Sequence, residues 1–122
     1  MNFIRVTPFM HVPDVDAAIA FFEEILGFKT LFRAPDYAYV SRENVAFRLL
    51  KNFGEDGAPP GNRRFAYYID VEDVEAVYAE LAPALARLPA DFQHGPATKP
   101  YGQRELCIVA PDGNLIVYGQ SV

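Results

Sequence analysis

The sequence predicts an α+β protein built from two βαβββ modules, and three observations carry that prediction. The first is an internal repeat: Val12-Pro13-Asp14-Val15-Asp16-Ala17 returns 59 residues later (Asp14 to Asp73) as Val71-Glu72-Asp73-Val74-Glu75-Ala76. The register extends inward, with Ile19, Ala20 and Phe22 falling on Tyr78, Ala79 and Leu81. A repeat of this length is one supersecondary unit used twice. The second observation is the run of short, alternating apolar segments that follows the first helical pattern. The third is the stretch from Asn52 to Asn62, where Gly54, Gly57, Pro59, Pro60 and Gly61 give the composition of a linker between the copies.

Residues 3–12 alternate and predict a strand. Asp14 then stands as the N-cap of a helix whose apolar stripe is Val15, Ala18, Ile19, Phe22, Ile25 and Leu26, and Gly27 closes it. Three short strands follow, at about 28–33, 37–42 and 45–51, joined through Ala34-Pro35-Asp36 and a tight Glu43-Asn44 turn. The second copy predicts a strand at 64–71, a helix from about 73 to 87, an irregular Pro-rich segment up to Tyr101, and strands at 103–110 and 114–119. Asp112-Gly113 makes the hairpin turn in the place of Glu43-Asn44. One domain is expected, with module 1 at about 1–52, linker at about 53–62 and module 2 at about 63–122. A four-stranded sheet with one helix has one uncovered face, so two modules side by side make a cup-shaped mixed sheet with helices outside.

Strand parity assigns the faces. Ile4, Val6, Met10 and Val12 are expected on the first helix, leaving Arg5, Thr7, Phe9 and His11 on the concave side. The repeat puts Phe65, Tyr67, Ile69 and Val71 on the second helix and Arg64, Ala66 and Tyr68 on the concave side. Val45, Phe47 and Leu49 go to the core and Arg48 into the cup. Ile116 and Tyr118 are core, while Leu115 and Val117 face the cup.

Bulk properties narrow the function. A chain of 122 residues can bury about 68% of its unfolded surface without disulfides or metals. Cys107 is the single cysteine, as expected in a reducing cytoplasm, and its apolar neighbours Leu106, Ile108 and Val109 favour a structural role. No apolar run reaches the roughly 20 residues of a membrane span, and Met1-Asn2-Phe3-Ile4-Arg5 is no signal peptide, so a cytoplasmic protein without a membrane partner is expected. The net charge of −5 lacks the basic footprint of a nucleic-acid binder.

Asp14-Val15-Asp16-Ala17-Ala18-Ile19-Ala20-Phe21-Phe22, leading into Leu26-Gly27-Phe28, together with Pro100-Tyr101-Gly102-Gln103-Arg104-Glu105 and Ala110-Pro111-Asp112-Gly113-Asn114, resembles the vicinal oxygen chelate superfamily of glyoxalases, bleomycin-resistance proteins and dioxygenases. The first and last motifs specify the fold. The middle one, aromatic-Gly-x-Arg-Glu, is most similar to the bleomycin-resistance branch. The resemblance implies that a catalytic relative would hold a divalent metal with His, Gln or Glu from four cup-facing strands. The corresponding positions here are Thr7, Ala66 (Phe65 one register away), Arg48 and Val117. None is a usual ligand, so no metal or other cofactor is expected.

His11, near the end of its strand, and His94, in an apparent loop, have no paired metal spacing. Neither a nucleophile elbow nor a phosphate loop is present. Glu23 and Glu24 read as a solvated helix face, and Asp70, Glu72, Asp73 and Glu75 as carboxylates complementing the second helix's dipole. Aromatics remain: 10 Phe and 7 Tyr. Phe32, Tyr37, Tyr39, Tyr68 and Tyr101 can fill the space between sheets or line a groove for a planar ligand, and similarity to bleomycin-resistance proteins favours the ligand for Phe32, Tyr37 and Tyr101. Arg48 can meet either a ligand's anionic group or a buried carboxylate. The resulting expectation is a metal-free homodimer that binds a bulky, partly aromatic small molecule at a dimer cleft. A lyase, isomerase or dioxygenase on the same fold is the enzymatic alternative, and a regulatory or accessory module the third reading.

Overall fold

The computed structural model describes residues 2–51 and 66–122, and the chain divides into two compact units, Met1–Ala58 and Pro59–Val122. The expected linker at 53–62, and Arg64 and Phe65, lie outside the described residues.

The first unit runs β1 (Phe9–Val12), α1 (Val15–Ala20) continued by a π-helical turn (Phe21–Ile25), β2 (Lys29–Ala34), β3 (Tyr37–Arg42) and β4 (Val45–Lys51). Its sheet has the order β1-β4-β3-β2, with β1 parallel to β4 and the other pairs antiparallel. Asp14 caps α1 as expected, accepting from the Ala17 N–H at 3.1 Å. The π-helical turn was not expected. By adding a residue to the turn it brings both Phe21 and Phe22 into the core with Ile25 and Leu26, and the Leu26 N–H reaches back to the Phe21 carbonyl. Gly27, at φ 73, then lets the chain reverse. Phe22 sits 5.1 Å from Phe28 and 5.4 Å from Phe47, between rings, at the centre of this core.

The first strand is shorter than its alternation implied. Only Phe9–Val12 pairs, and Ile4 and Val6, expected on the helix, are 86% and 91% exposed. Alternation describes which side chains can share a face, but burial needs a partner, and the pairing with β4 begins only at Phe9.

The second unit repeats the order: β5 (Ala66–Asp70), α2 (Val74–Leu85), a 3₁₀ turn (Ala90–Phe92), β6 (Gln93–Thr98), β7 (Gln103–Val109) and β8 (Leu115–Ser121), in a sheet ordered β5-β8-β7-β6. Asp73 caps α2 through the Ala76 N–H at 3.1 Å. The internal repeat holds at the level of register, since Phe9 lies beside Arg48 and its repeat partner Tyr68 beside Val117.

Two expectations are corrected here. The Pro-rich segment before Tyr101 is not irregular but holds β6, and His94 is therefore a strand residue opposite Cys107. Pro96 and Gly95 hid the strand because they sit at its register shift, where β6 is an edge and needs fewer donors. The β7–β8 hairpin also carries a longer loop, residues 110–114, than the two-residue Glu43-Asn44 connection; Asp112 accepts from the Asn114 N–H at 3.0 Å and Gly113 takes φ 92.

Candidate functional site

In each unit the helix covers one face of its sheet, and the candidate residues stand on the other. In the first unit, Tyr37 and Tyr39 alternate with buried Ala38 and Val40, and Tyr39 lies opposite Arg48. A bulge at Leu31 in β2 shifts the register so that Phe32, rather than its neighbour, stands opposite Tyr39. Phe32 and Tyr37 are thereby brought together, with ring centroids 6.0 Å apart. Arg48 donates to the Tyr37 hydroxyl at 2.7 Å, and its guanidinium carbon lies 5.1 Å from the Tyr39 ring centroid. No carboxylate among the described residues pairs with it. Four of the six sequence-derived candidates thus form one aromatic and cationic cluster.

Tyr68 and Tyr101 belong to the second unit, where they share a partner that the sequence reading did not single out. Glu105, on β7, is 6% exposed. Its Oε1 accepts from the Tyr101 hydroxyl at 2.8 Å and its Oε2 from the Tyr68 hydroxyl at 2.9 Å. Gln103 offers Tyr68 a further acceptor at 3.1 Å and is itself tethered to the Ser121 hydroxyl at 2.9 Å. The clue was present in the motif Tyr101-Gly102-Gln103-Arg104-Glu105, where Glu105 has the parity of Gln103, opposite to Arg104. Arg104 points the other way and pairs with Glu75 of α2.

The surroundings of Glu105 register its charge. Burial first, then donation to Glu105 and the carboxylate's negative charge, with Tyr101 and Asp70 adding, push the Tyr68 phenol up to about 12. The Tyr101 phenol is raised, chiefly by its hydrogen bond to Glu105. Cys107, half-buried on the same face, has its thiol pushed up by burial and by Glu105, with Lys99 opposing.

A pH dependence follows for Tyr68. With a folded value above the unfolded one near 10, its contribution is full below about pH 10 and is lost as pH rises toward about 12, because the unfolded chain releases the proton first. Tyrosinate absorbance should show a phenol titrating late, absent in Tyr68→Phe and moved part of the way back in Glu105→Gln. An unchanged titration in Glu105→Gln would contradict the charge's role.

The four positions that the resemblance implied as metal places lie in or just before the strands. Arg48, Ala66 and Val117 are strand residues facing away from the helices, and Thr7 precedes β1. A guanidinium, two apolar side chains and one hydroxyl supply no anionic or imidazole donor, so these residues do not fit a divalent metal. Among the described residues no group of three or more His, Cys, Asp or Glu is placed to hold one. A separate depression, lined by Asp91, Phe92, Val109, Ala110 and Leu115, contains none of the candidates.

Two βαβββ modules with matching strand orders, each with a helix on one face of its sheet, define an α+β protein of the paired-module class. The chain belongs to the Glyoxalase/Bleomycin resistance protein/Dioxygenase superfamily, whose profile matches residues 5–118. Among solved structures it is similar to the bleomycin-binding protein from bleomycin-producing Streptomyces verticillus, in complex with copper(II)-bleomycin, at 24% identity and a TM-score of 0.78, covering 97% of this chain and 96% of that one. The antibiotic-binding protein TnmS3 from Streptomyces sp. CB03234 matches at 26% identity and 0.75, over 100% and 99% of the chains. A bleomycin resistance determinant encoded on transposon Tn5 matches at 22% and 0.78, over 98% of each chain. No curated protein sequence matches the chain. Among the described residues no helix is long and apolar enough to cross a membrane.

Proposed function

We propose that this protein is a metal-free binding protein of the bleomycin-resistance type, which sequesters a bulky, partly aromatic small molecule at the cleft of a homodimer without turning it over. The observation that carries this reading is the cluster of Phe32, Tyr37, Tyr39 and Arg48 on the sheet face that its own helix does not cover. Neighbouring apolar rings, two of them with polar tips, suit a planar ligand, and the guanidinium offers a contact for an anionic or carbonyl group. The similarity to antibiotic- and bleomycin-binding proteins supports the same ligand class. The metal-dependent alternative would need donors that Thr7, Arg48, Ala66 and Val117 do not provide.

A dimer is supported by the N-terminal segment. Phe3, Ile4 and Val6 are exposed apolar side chains close together in sequence, the kind of surface that a monomer rarely leaves in water. Native mass spectrometry of freshly purified protein, combined with elemental analysis, tests these parts together. A dimer with no stoichiometric Zn, Ni, Fe or Mn is expected, and binding of copper(II)-bleomycin or a planar aromatic antibiotic at about one molecule per chain. A monomer at micromolar concentration that retains about one tightly held metal would overturn the reading.

A further inference from the structure

Glu105 is a buried anion whose charge has no cationic partner among the described residues. Withdrawing a carboxylate from water is costly unless it is paired and hydrogen-bonded. The phenols of Tyr68 and Tyr101 satisfy its oxygens at 2.9 and 2.8 Å, but both donors are neutral, so the lone pairs are met and the charge is not. The rings that carry those phenols face outward, Tyr68 42% and Tyr101 67% exposed. A molecule approaching this place therefore meets two electron-rich rings first, with a negative charge behind them.

We propose that Glu105, screened by the rings of Tyr68 and Tyr101, is a recognition site for an organic cation without N–H donors, a quaternary or N-alkylated ammonium group. The class follows from access. A primary ammonium is strongly hydrated and needs acceptors to replace its water, yet the carboxylate oxygens are already engaged by phenols and almost closed to solvent. An alkylated cation has no donors to satisfy; it gains from the ring faces and from the field of the carboxylate at a distance. The inference rests on the binding-protein reading above and adds a cationic group to the ligand it describes.

Gly119 is the positioning residue of this site. It lies opposite Glu105 in the β7–β8 ladder, and Tyr68 crosses it so closely that a Cβ there would stand 1.8 Å from the phenol oxygen and 2.3 Å from the ring carbon that bears it. Glycine in a strand where another group approaches closely has this use. Its φ is not in the left-handed region, so alanine is compatible with the backbone, and the strain falls on the seat of Tyr68.

The experiment compares choline, its neutral isostere 3,3-dimethylbutan-1-ol, and ethanolamine, titrated by NMR against the full-length protein, Glu105→Gln and Gly119→Ala. Choline should bind at least about tenfold more tightly than either of the others, and each variant should lose most of that preference. Glu105→Gln keeps the shape and its acceptor oxygen while removing the charge, and Gly119→Ala keeps the charge while unseating the ring. The proposal falls if choline binds no better than 3,3-dimethylbutan-1-ol, if ethanolamine is preferred, or if the preference survives in Glu105→Gln. A neutral planar aromatic compound titrated in parallel separates the two claims. Its undiminished binding to a protein with no preference for choline would overturn the cation site and leave the binding-protein reading standing, whereas its failure to bind while the choline preference and its loss in Glu105→Gln hold would count against the aromatic cluster of that reading and support the cation site.

Discussion

Phe22→Ala should cost about 3–5 kcal/mol of folding stability, with Phe47→Ala close behind. Phe22 is 1% exposed and neighbours three other rings, Phe21 at 6.0 Å, Phe28 at 5.1 Å and Phe47 at 5.4 Å, so its removal leaves a cavity walled by aromatics from the π-helical turn, the residue before β2, and β4. Since domains of this size are usually stable by only about 5–15 kcal/mol, either variant consumes a large part of the margin. Urea denaturation gives the measurement. The internal control is Tyr37→Ala, from the half-buried face of the same sheet, whose loss should be clearly smaller than that of Phe47→Ala. If Tyr37→Ala unfolds at as low a urea concentration as Phe47→Ala, Tyr37 belongs to the core and not to the groove.

Cutting Phe32 or Tyr37 to Ala should instead weaken binding of a planar aromatic ligand by about 1–3 kcal/mol while leaving the fold largely intact. The rings pack on each other at 6.0 Å and Phe32 is exposed on one side, so a ligand laid on them would cover apolar area that nothing in their own unit covers. Tyr37→Phe distinguishes ring from hydroxyl. It keeps the stacking surface but releases Arg48 from its 2.7 Å hydrogen bond, and should retain most of the affinity for a neutral polycycle. Tyr101→Ala should also weaken binding, through loss of a ring and of one of the two donors to Glu105. Calorimetric titration with bleomycin-type glycopeptides and planar aromatic compounds reads all of these. Unaltered affinity in Phe32→Ala and Tyr37→Ala would remove the first cluster from the site.

Much of this architecture was legible because its signals are local. The cap Asp14, the glycine after the first helix and the strand at 37–42 each rest on signals within a few residues, and each stands where the sequence placed it. The repeat added a check that no single segment offers, and it survives as a shared register, with Phe9 beside Arg48 and Tyr68 beside Val117. Face assignments for Arg48, Tyr68 and Val117 followed from parity and hold.

What the chain by itself determined, then, was the βαβββ order of the first module, its repetition in the second and the approximate helix boundaries, since these depend on residue type and near spacing. Tertiary structure decided the rest, because it depends on pairing across the sheet. The bulge at Leu31 brings Phe32 onto the face of Tyr37, and β6 exists through its pairing with β7 despite Gly95 and Pro96. Residues 3–8 alternate like a strand, yet the paired strand begins at Phe9. Glu105 is the clearest case. In sequence it is one acid in a polar run beside Arg104; in the fold, the pleat sends Arg104 to Glu75 and turns Glu105 to the opposite face, where phenols 4 and 37 residues away close over its charge.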